Sequence, residues 1–235
     1  MAISKKKQYL HIIVPVYNEA ENFPILYEEI LKKIKTPHKI IVVYDFDKDT
    51  TVPVVTKYQL KDKNLILLKN DRGKGVLNAI LSGFDYVRNG ALLVVMADLS
   101  DDLDMVDVMY EHYLRGAELV CGSRYMKGGK QLGGPLLKRF LSRMAGVSLY
   151  WLKNMPTHDV TNNFKLYDKE LINGITIESK GGFEIAMEIT VKAFKSKKKI
   201  IEVPSTWTDR MAGESNFKFW RWLPSYLRWY FYALF

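Results

Sequence analysis

Uninterrupted apolar runs alternate along this chain with amphipathic stretches, and the spacing inside each one assigns its element. Residues 10–16, LHIIVPV, read as a strand buried on both faces. The stretch NEAENFPILYEEILKKI then places Phe23, Leu26, Ile30 and Ile34 on one side of a helix. Residues 39–44 and the run NLILLKN give second and third strands, and GKGVLNAILSGFDYV gives a helix. ALLVVMAD reads as a strand, DLDMVDVMYEHYLRG as a helix and AELVCGS as a further strand. Strands alternating with helices predict an α/β fold with a mainly parallel central sheet and helices on both faces.

In such sheets ligands bind beyond the carboxyl ends of the strands, where the strand order reverses. Four strands end in polar residues: VYNE (16–19), YDFDKDTT (44–51), MADLSDD (96–102) and GSRY (122–125). Their convergence predicts one site. Within it, VVMADLSDD sets Asp98, Ser100, Asp101 and Asp102 at the end of a strand, and such oxygens at short spacing suit a hard cation. Two readings stay open for this cluster: a metal ligand at Asp98, and acidic residues, Asp104 among them, that charge the start of the next helix.

Composition narrows the class. At 235 residues and 48 % hydrophobic content the chain is long enough for a sizeable core, which excludes a disordered protein. One cysteine, Cys121, excludes an intramolecular disulfide framework and reads as a buried thiol in a reducing compartment. MAISKKKQYLHIIVPVY lacks the pattern of a signal peptide, and no run reaches the roughly 18 apolar residues of a membrane span. The expectation is a cytoplasmic protein, peripheral on the cytoplasmic face of a membrane.

The net charge of +9 is unevenly placed. Residues 121–143 carry six bases and no acid, and residues 195–235 carry eight bases against three acids. Local positive charge points to phosphate or an anionic surface. Nucleic acid ranks last, because no nucleic-acid fold motif accompanies the basic tail.

Smaller motifs keep alternatives. PVYNEAEN joins strand to helix, where backbone N–H groups can hold a nucleotide; the competing reading is a cap by Asn18. Arg72, Gly73, Lys74 and Gly75 precede a helix and form either an anion seat or a solvated loop; the spacing is not that of a Walker A loop. Asp47 and Asp49 read as turn formers. The fork of Arg124 suits a phosphate. His158 reads as structural.

The ordered series VPVYNEAEN, VVYDFDKDTT, RGKGVLNAILSGF, VVMADLSDD and CGSRY resembles the family-2 glycosyltransferases with the Rossmann-like GT-A nucleotide-diphospho-sugar fold. Within them it is most similar to dolichol-phosphate mannose synthases and related polyprenyl-phosphate glycosyltransferases. TNNFKLYDKELI, GGFEIAMEI and EVPSTWTDRMAGESNF extend the likeness to about residue 220. The resemblance implies inverting transfer of a sugar, mannose from GDP-mannose first and glucose from UDP-glucose next, onto a polyprenyl or dolichyl phosphate.

It further implies that Pro15, Tyr17, Glu19, Asp45, Arg72, Lys74 and Ala97 bind the nucleotide. By the same resemblance Asp98, Asp159, Arg124 and Arg210 serve catalysis, and Arg124, Arg139 and Lys218 meet the acceptor phosphate. A Mg²⁺ or Mn²⁺ ion is implied on Asp98, Ser100 and Asp101. The synthases usually carry Asp-x-Asp, and Met96 stands at the first of these positions. A thioether is a poor ligand for such ions, which leaves Asp98 as principal ligand. Two alternatives stay in view: transfer to a glycan or small acceptor, and, on account of Met96, a non-catalytic nucleotide-sugar-binding module.

The catalytic domain is expected over 1–216, followed by an aromatic and basic segment over 217–235. There Lys218, Arg221, Ser225 and Arg228 draw a polar stripe among aromatics, as in a helix lying in a membrane interface. Packing of this helix on the domain is the other reading. The basic stretch 136–155, with Phe140, Met144, Val147 and Trp151 on one face, is a second candidate for the bilayer surface.

Overall fold

The computed structural model describes residues 9–209 and 219–235. In chain order the elements are β1 (Leu10–Val16), α1 (Asn22–Lys33), β2 (His38–Tyr44), α2 (Thr51–Gln59), β3 (Leu65–Lys69), α3 (Val76–Tyr86), β4 (Ala91–Val94), α4 (Val106–Leu114) and β5 (Leu119–Ser123). They continue as β6 (Lys130–Leu132), α5 (Leu136–Lys153), β7 (Lys165–Asp168), α6 (Lys169–Asn173), α7 (Ile185–Lys195), β8 (Ile200–Pro204), β9 (Thr206–Thr208) and α8 (Phe219–Leu234). Among the described residues the main sheet has the order β3-β2-β1-β4-β7-β5-β8, and β6 pairs with β9 beside it.

Every strand of the main sheet is parallel to its neighbours except β7, which lies antiparallel between β4 and β5. The carboxyl ends of the six parallel strands therefore share one edge, as the alternating pattern predicts. Side-chain alternation splits the core into two layers. Ile12, Val14, Ile40, Val42 and Leu93 face α1, α2 and α4, while Ile13, Ile41, Val43, Leu92 and Val94 face α3, α6 and α7.

Two differences from the sequence reading have local causes. Helix α2 opens on Thr51, Val52, Pro53 and Val54, whose β-branched residues favour extended chain; proline is tolerated in the first turn, where its missing N–H costs no bond. Strand β4 stops at Val94 rather than 98, and Leu99 adopts a left-handed φ of 62°. The chain leaves the sheet here, so 96–102 is a loop.

Pro15 lies inside β1 without breaking it. Val95 donates to the Ile13 carbonyl, so odd-numbered residues of β1 turn their backbone towards β4, and the β1–β4 register ends at Ile13–Val94. Pro15 comes after the last such pair, so its missing N–H removes no ladder bond. The divergence of β1 from β4 at this point is the switch in strand order.

A third cluster joins α5, α7 and α8 through Leu149, Met155, Val160, Met187, Val191, Trp229 and Ala233. Trp229 is 2 % exposed, donates to Ser179 Oγ at 3.1 Å and lies under Lys192 Nζ at 4.8 Å. The inner face of α8 is thus core, and its outer face exposes Leu227, Phe231 and Tyr232, with Phe235 exposed just beyond its end. Truncating Trp229 to alanine is expected to cost about 3–5 kcal/mol. In a thermal melt that is a fall of roughly 10 °C, and a shift under 2 °C would remove Trp229 from the core argument.

Candidate functional site

The acidic loop, Met96 to Asp102, is held by its own side chains. Asp101 accepts the Met96 N–H at 2.8 Å, Asp98 accepts the Ser100 N–H at 3.2 Å, and Asp102 accepts the Thr206 N–H at 2.8 Å. Asp102 therefore ties the loop to β9, and the Ser100 carbonyl, which accepts from Thr208, reinforces the tie. Burial pushes the Asp101 carboxyl up to about 7, with the neighbouring Asp98 charge adding to it and the Met96 N–H opposing it. Asp104 makes no helix cap; it pairs with Lys33 at 3.2 Å on the surface.

At the ends of β1 and β2, Asp49 is buried and accepts the N–H groups of Asn18 and Thr51. It is the bracket between the two loops. Asn18 caps no helix, since its side chain accepts from the Thr50 N–H. Asp45 accepts Asn70 Nδ2 and the Gly75 N–H, both at 2.7 Å. Gly75 holds φ at 117°, a conformation that favours glycine. Tyr17, 55 % exposed, stands 5.6 Å from Phe46, over whose ring Lys74 Nζ lies at 5.6 Å. Aromatic faces, a carboxylate and an ammonium share this rim.

Arg124 ends β5 and lies on Asp159. Its Nε and Nη2 donate to the two carboxylate oxygens at 2.7 and 3.0 Å, and its backbone N–H reaches Oδ2 at 3.1 Å. Nη2 also donates to Ser142 Oγ on α5 and to Thr161 Oγ1. Burial works against both charges, but mutual attraction outweighs it: Asp159 is held below the usual carboxylate range and Arg124 above its ordinary value. The bidentate fork expected for a phosphate is thus occupied by Asp159. Nη1 has no protein partner among the described residues.

One cleft of about 860 Å³ collects these groups. Asp98, Ser100, Asp101, Arg124, Lys138, Ser142 and Thr161 supply polar groups to its lining, and Leu137, Leu141, Met144, Leu223 and Leu227 from α5 and α8 supply apolar ones. Tyr17, Glu19, Asp45 and Lys74 stand instead at and beyond the ends of β1, β2 and β3, with Pro15 buried in β1 and Ala97 buried within the acidic loop.

Some expected residues are placed elsewhere. Arg72 pairs with Asp85 of α3 through both Nε and Nη2. Arg139 is exposed and outside the cleft lining, whereas its neighbour Lys138 is part of it. Arg210 and Lys218 lie outside the described residues. His158 is structural: it bonds Glu202 at 2.8 Å and stacks on Tyr150 at 3.7 Å. The sequence reading missed Ser142, Thr161 and Lys138. Helical periodicity marked the apolar face of their helix, but not which turn meets Arg124.

Comparison with known proteins gives the family and the fold. A family model, Glycosyl transferase family 2, matches residues 11–176. A dolichol-phosphate mannosyltransferase of Pyrococcus furiosus is 30 % identical over 216 residues, 88 % of this chain and 58 % of its own length. A polyprenol monophosphomannose synthase of Mycolicibacterium smegmatis is 31 % identical over 219 residues, 87 % of this chain and 79 % of its own. The chain spans less than two thirds of the Pyrococcus protein. Among solved structures, glucosyl-3-phosphoglycerate synthase of Mycobacterium tuberculosis, crystallised with Mn²⁺, uridine diphosphate and glucosyl-3-phosphoglycerate, matches with a TM-score of 0.67. It is 12 % identical, over 98 % of this chain and 80 % of that one, a likeness of fold alone. A family match across most of the sheet, whose switch point opens onto an acidic loop and a nearby arginine, gives the conclusion that this chain belongs to glycosyl transferase family 2.

Proposed function

We propose that this chain transfers a mannosyl group from GDP-mannose to the phosphate of a polyprenyl lipid, with inversion at the anomeric carbon. The observation that carries the reading is a cleft whose lining combines the charged Asp98, Asp101 and Arg124 with apolar side chains of α5 and α8. A phosphate with a hydrocarbon chain matches both kinds of lining. The names of the two sequence relatives support the lipid and the sugar.

Among the described residues no three acidic, histidine or cysteine side chains group as a metal site. A single carboxylate beside a hydroxyl still fits a hard cation that takes its other ligands from a diphosphate and water. In this reading Asp98 holds Mg²⁺ or Mn²⁺ with Ser100 and Asp101 beside it, and the Mn²⁺ of the structural neighbour favours such an ion. A cation held by these residues would supply neutralisation of the charge on the departing diphosphate.

The remaining work falls to the chain itself. Tyr17, Phe46, Lys74 and Asp45 seat the nucleoside, and Arg124 Nη1 with Lys138 and Ser142 orients the acceptor phosphate. Arg210 and Lys218 complete the cation set in this reading. A phosphate oxygen forms the bond to the anomeric carbon as the bond to the diphosphate breaks. With a second pKa near ~6, as for phosphorylated side chains, this nucleophile is ionised near neutrality and needs no base. Catalysis is then mainly positioning and charge stabilisation.

Among the described residues no helix is long and apolar enough to cross a membrane. The exposed apolar face of α5, with Leu136, Phe140 and Trp151, lies beside Arg139 and Arg143, and we place it with the outer face of α8 on an anionic bilayer. Replacing Phe140 and Trp151 together by serine is expected to cut co-sedimentation with anionic vesicles at least five-fold. Transfer to a short, water-soluble polyprenyl phosphate should stay within two-fold.

The deciding experiment supplies radiolabelled GDP-mannose or UDP-glucose with a polyprenyl phosphate, in Mg²⁺, in Mn²⁺ and in chelator. Metal-dependent label in lipid from GDP-mannose is the expected result. Label from UDP-glucose instead would change the donor, and donor turnover without lipid label would overturn the acceptor.

A further inference from the structure

The loop that carries Asp159 is gripped from beneath by a side chain that does not itself line the cleft. Lys165, on the antiparallel strand β7, is fully buried opposite Cys121 of β5. Its Nζ donates to the carbonyl of Asp159 at 3.1 Å and to that of Asn162 at 2.5 Å. No carboxylate lies within ion-pair distance of it among the described residues. A lysine is a costly choice for such a place, because burial penalises its charge and a hydrocarbon of similar length would fill the same volume. Burial does lower its pKa, with the Cys121, Asp159 and Glu202 charges partly offsetting that effect.

Its two bonds bracket the turn 159–162. That turn directs the Asp159 carboxylate at Arg124, and Asp159 in turn accepts the Asn162 N–H at 3.1 Å. Asn162 Nδ2 reaches the Gly122 carbonyl of β5, two residues before Arg124. Thr161 and Asn162 also line the cleft. Glu202 of β8 fixes the approach to the turn by accepting the Thr157 hydroxyl and the His158 N–H. Helix α5 closes it from above, since a Cβ at Gly146 would collide with the His158 carbonyl. Of these supports, Lys165 is the one that holds the Asp159 carbonyl, while Thr157 Oγ1 accepts the Asp159 N–H at 3.1 Å.

We propose that Lys165 is a positioning residue for glycosyl transfer: by holding the Asp159 and Asn162 carbonyls it fixes the carboxylate that orients Arg124, so that Arg124 Nη1 meets the acceptor anion. The inference rests on the acceptor site proposed above. Lys165 acts through Asp159 and contacts neither substrate.

The test compares Lys165→Met, Lys165→Gln and Lys165→Arg in the full chain. In Lys165→Met, kcat/KM for the acceptor phosphate falls at least ten-fold, while equilibrium binding of GDP-mannose stays within two-fold. Lys165→Arg, which keeps donors for both carbonyls, recovers most of the loss. A purely structural role would weaken donor and acceptor terms together, or leave both unchanged, and either result overturns the proposal. Should Lys165→Met fail to fold, the same split is read in Lys165→Gln, which keeps one donor.

A second readout needs no acceptor. The Nε–H resonance of Arg124, assigned by its loss in Arg124→Lys, is protected from exchange with water in the parent protein. Its exchange quickens at least ten-fold in the methionine or glutamine variant. Unchanged exchange overturns the role of Lys165 even if lipid phosphate proves not to be the acceptor.

Discussion

Replacing Asp98 by alanine should lower sugar transfer by about 10²–10³-fold, the scale expected when one preorganised electrostatic partner of a departing group is removed. Asp98 stands half-buried in the acidic loop and lines the cleft. The chain supplies few ligand oxygens here, because Met96 offers a thioether and Asp101 spends an oxygen on the Met96 N–H. A cation on this loop therefore depends on Asp98 more than it would on a loop with two free carboxylates. The stability loss should be small, comparable to the hydrogen bond to the Ser100 N–H, about 1 kcal/mol. The check is initial rate against metal concentration alongside a thermal melt. A variant that keeps more than a tenth of the activity with an unchanged metal requirement would take Asp98 out of the reaction.

Arg124→Leu should damage the protein twice. Asp159 is fully buried and loses its bidentate partner, and an uncompensated buried charge costs about 3–5 kcal/mol. The pH dependence gives the sign. In the parent, the Asp159 pKa is depressed on folding, so its contribution is present above the unfolded value and is lost as pH falls through the lower, folded one. Without Arg124, burial is opposed only by weaker interactions and the folded pKa rises above the unfolded one. Stability is then greatest in acid and declines as pH climbs. The gap in Tm between parent and variant should narrow from pH 7 to pH 4. A gap that is constant with pH would mean that Asp159 is not the group left stranded, and Arg124→Leu with Asp159→Asn should recover part of the loss at pH 7.

The two predictions meet in one cleft, yet they probe different physics. Asp98 is open to the cleft, and its removal affects what binds. Arg124 and Asp159 are closed in by Ser142, Thr161 and the 159–162 turn, and their separation affects the fold first. Activity measured on Arg124 variants should therefore be read beside a melt, and the Asp98 variant supplies the control in which the two separate.

Much of the architecture follows from local pattern. β1 is a continuous apolar run with the bounds its pattern predicts, and β2, β3 and β5 fall within about two residues of theirs, because strands buried on both faces admit few polar residues. Short β7, with a buried lysine at its start, has no such signature. Its antiparallel course depends on pairing with β4 and β5, which lie far from it in sequence.

The site divides along the same line. Residue types and order alone gathered Asp98, Ser100 and Asp101 at a strand end and marked Arg124 as a phosphate-type arginine. They also marked the C-terminal stretch as amphipathic, with a face for aromatics. Only the tertiary structure decided that Arg124 spends its fork on Asp159, that Arg72 is held by Asp85, and that Lys138 rather than Arg139 enters the cleft. The reason is distance along the chain: a hydrogen bond between residues 35 apart depends on how the sheet is ordered, whereas hydrophobic period and turn chemistry are properties of a few neighbouring residues.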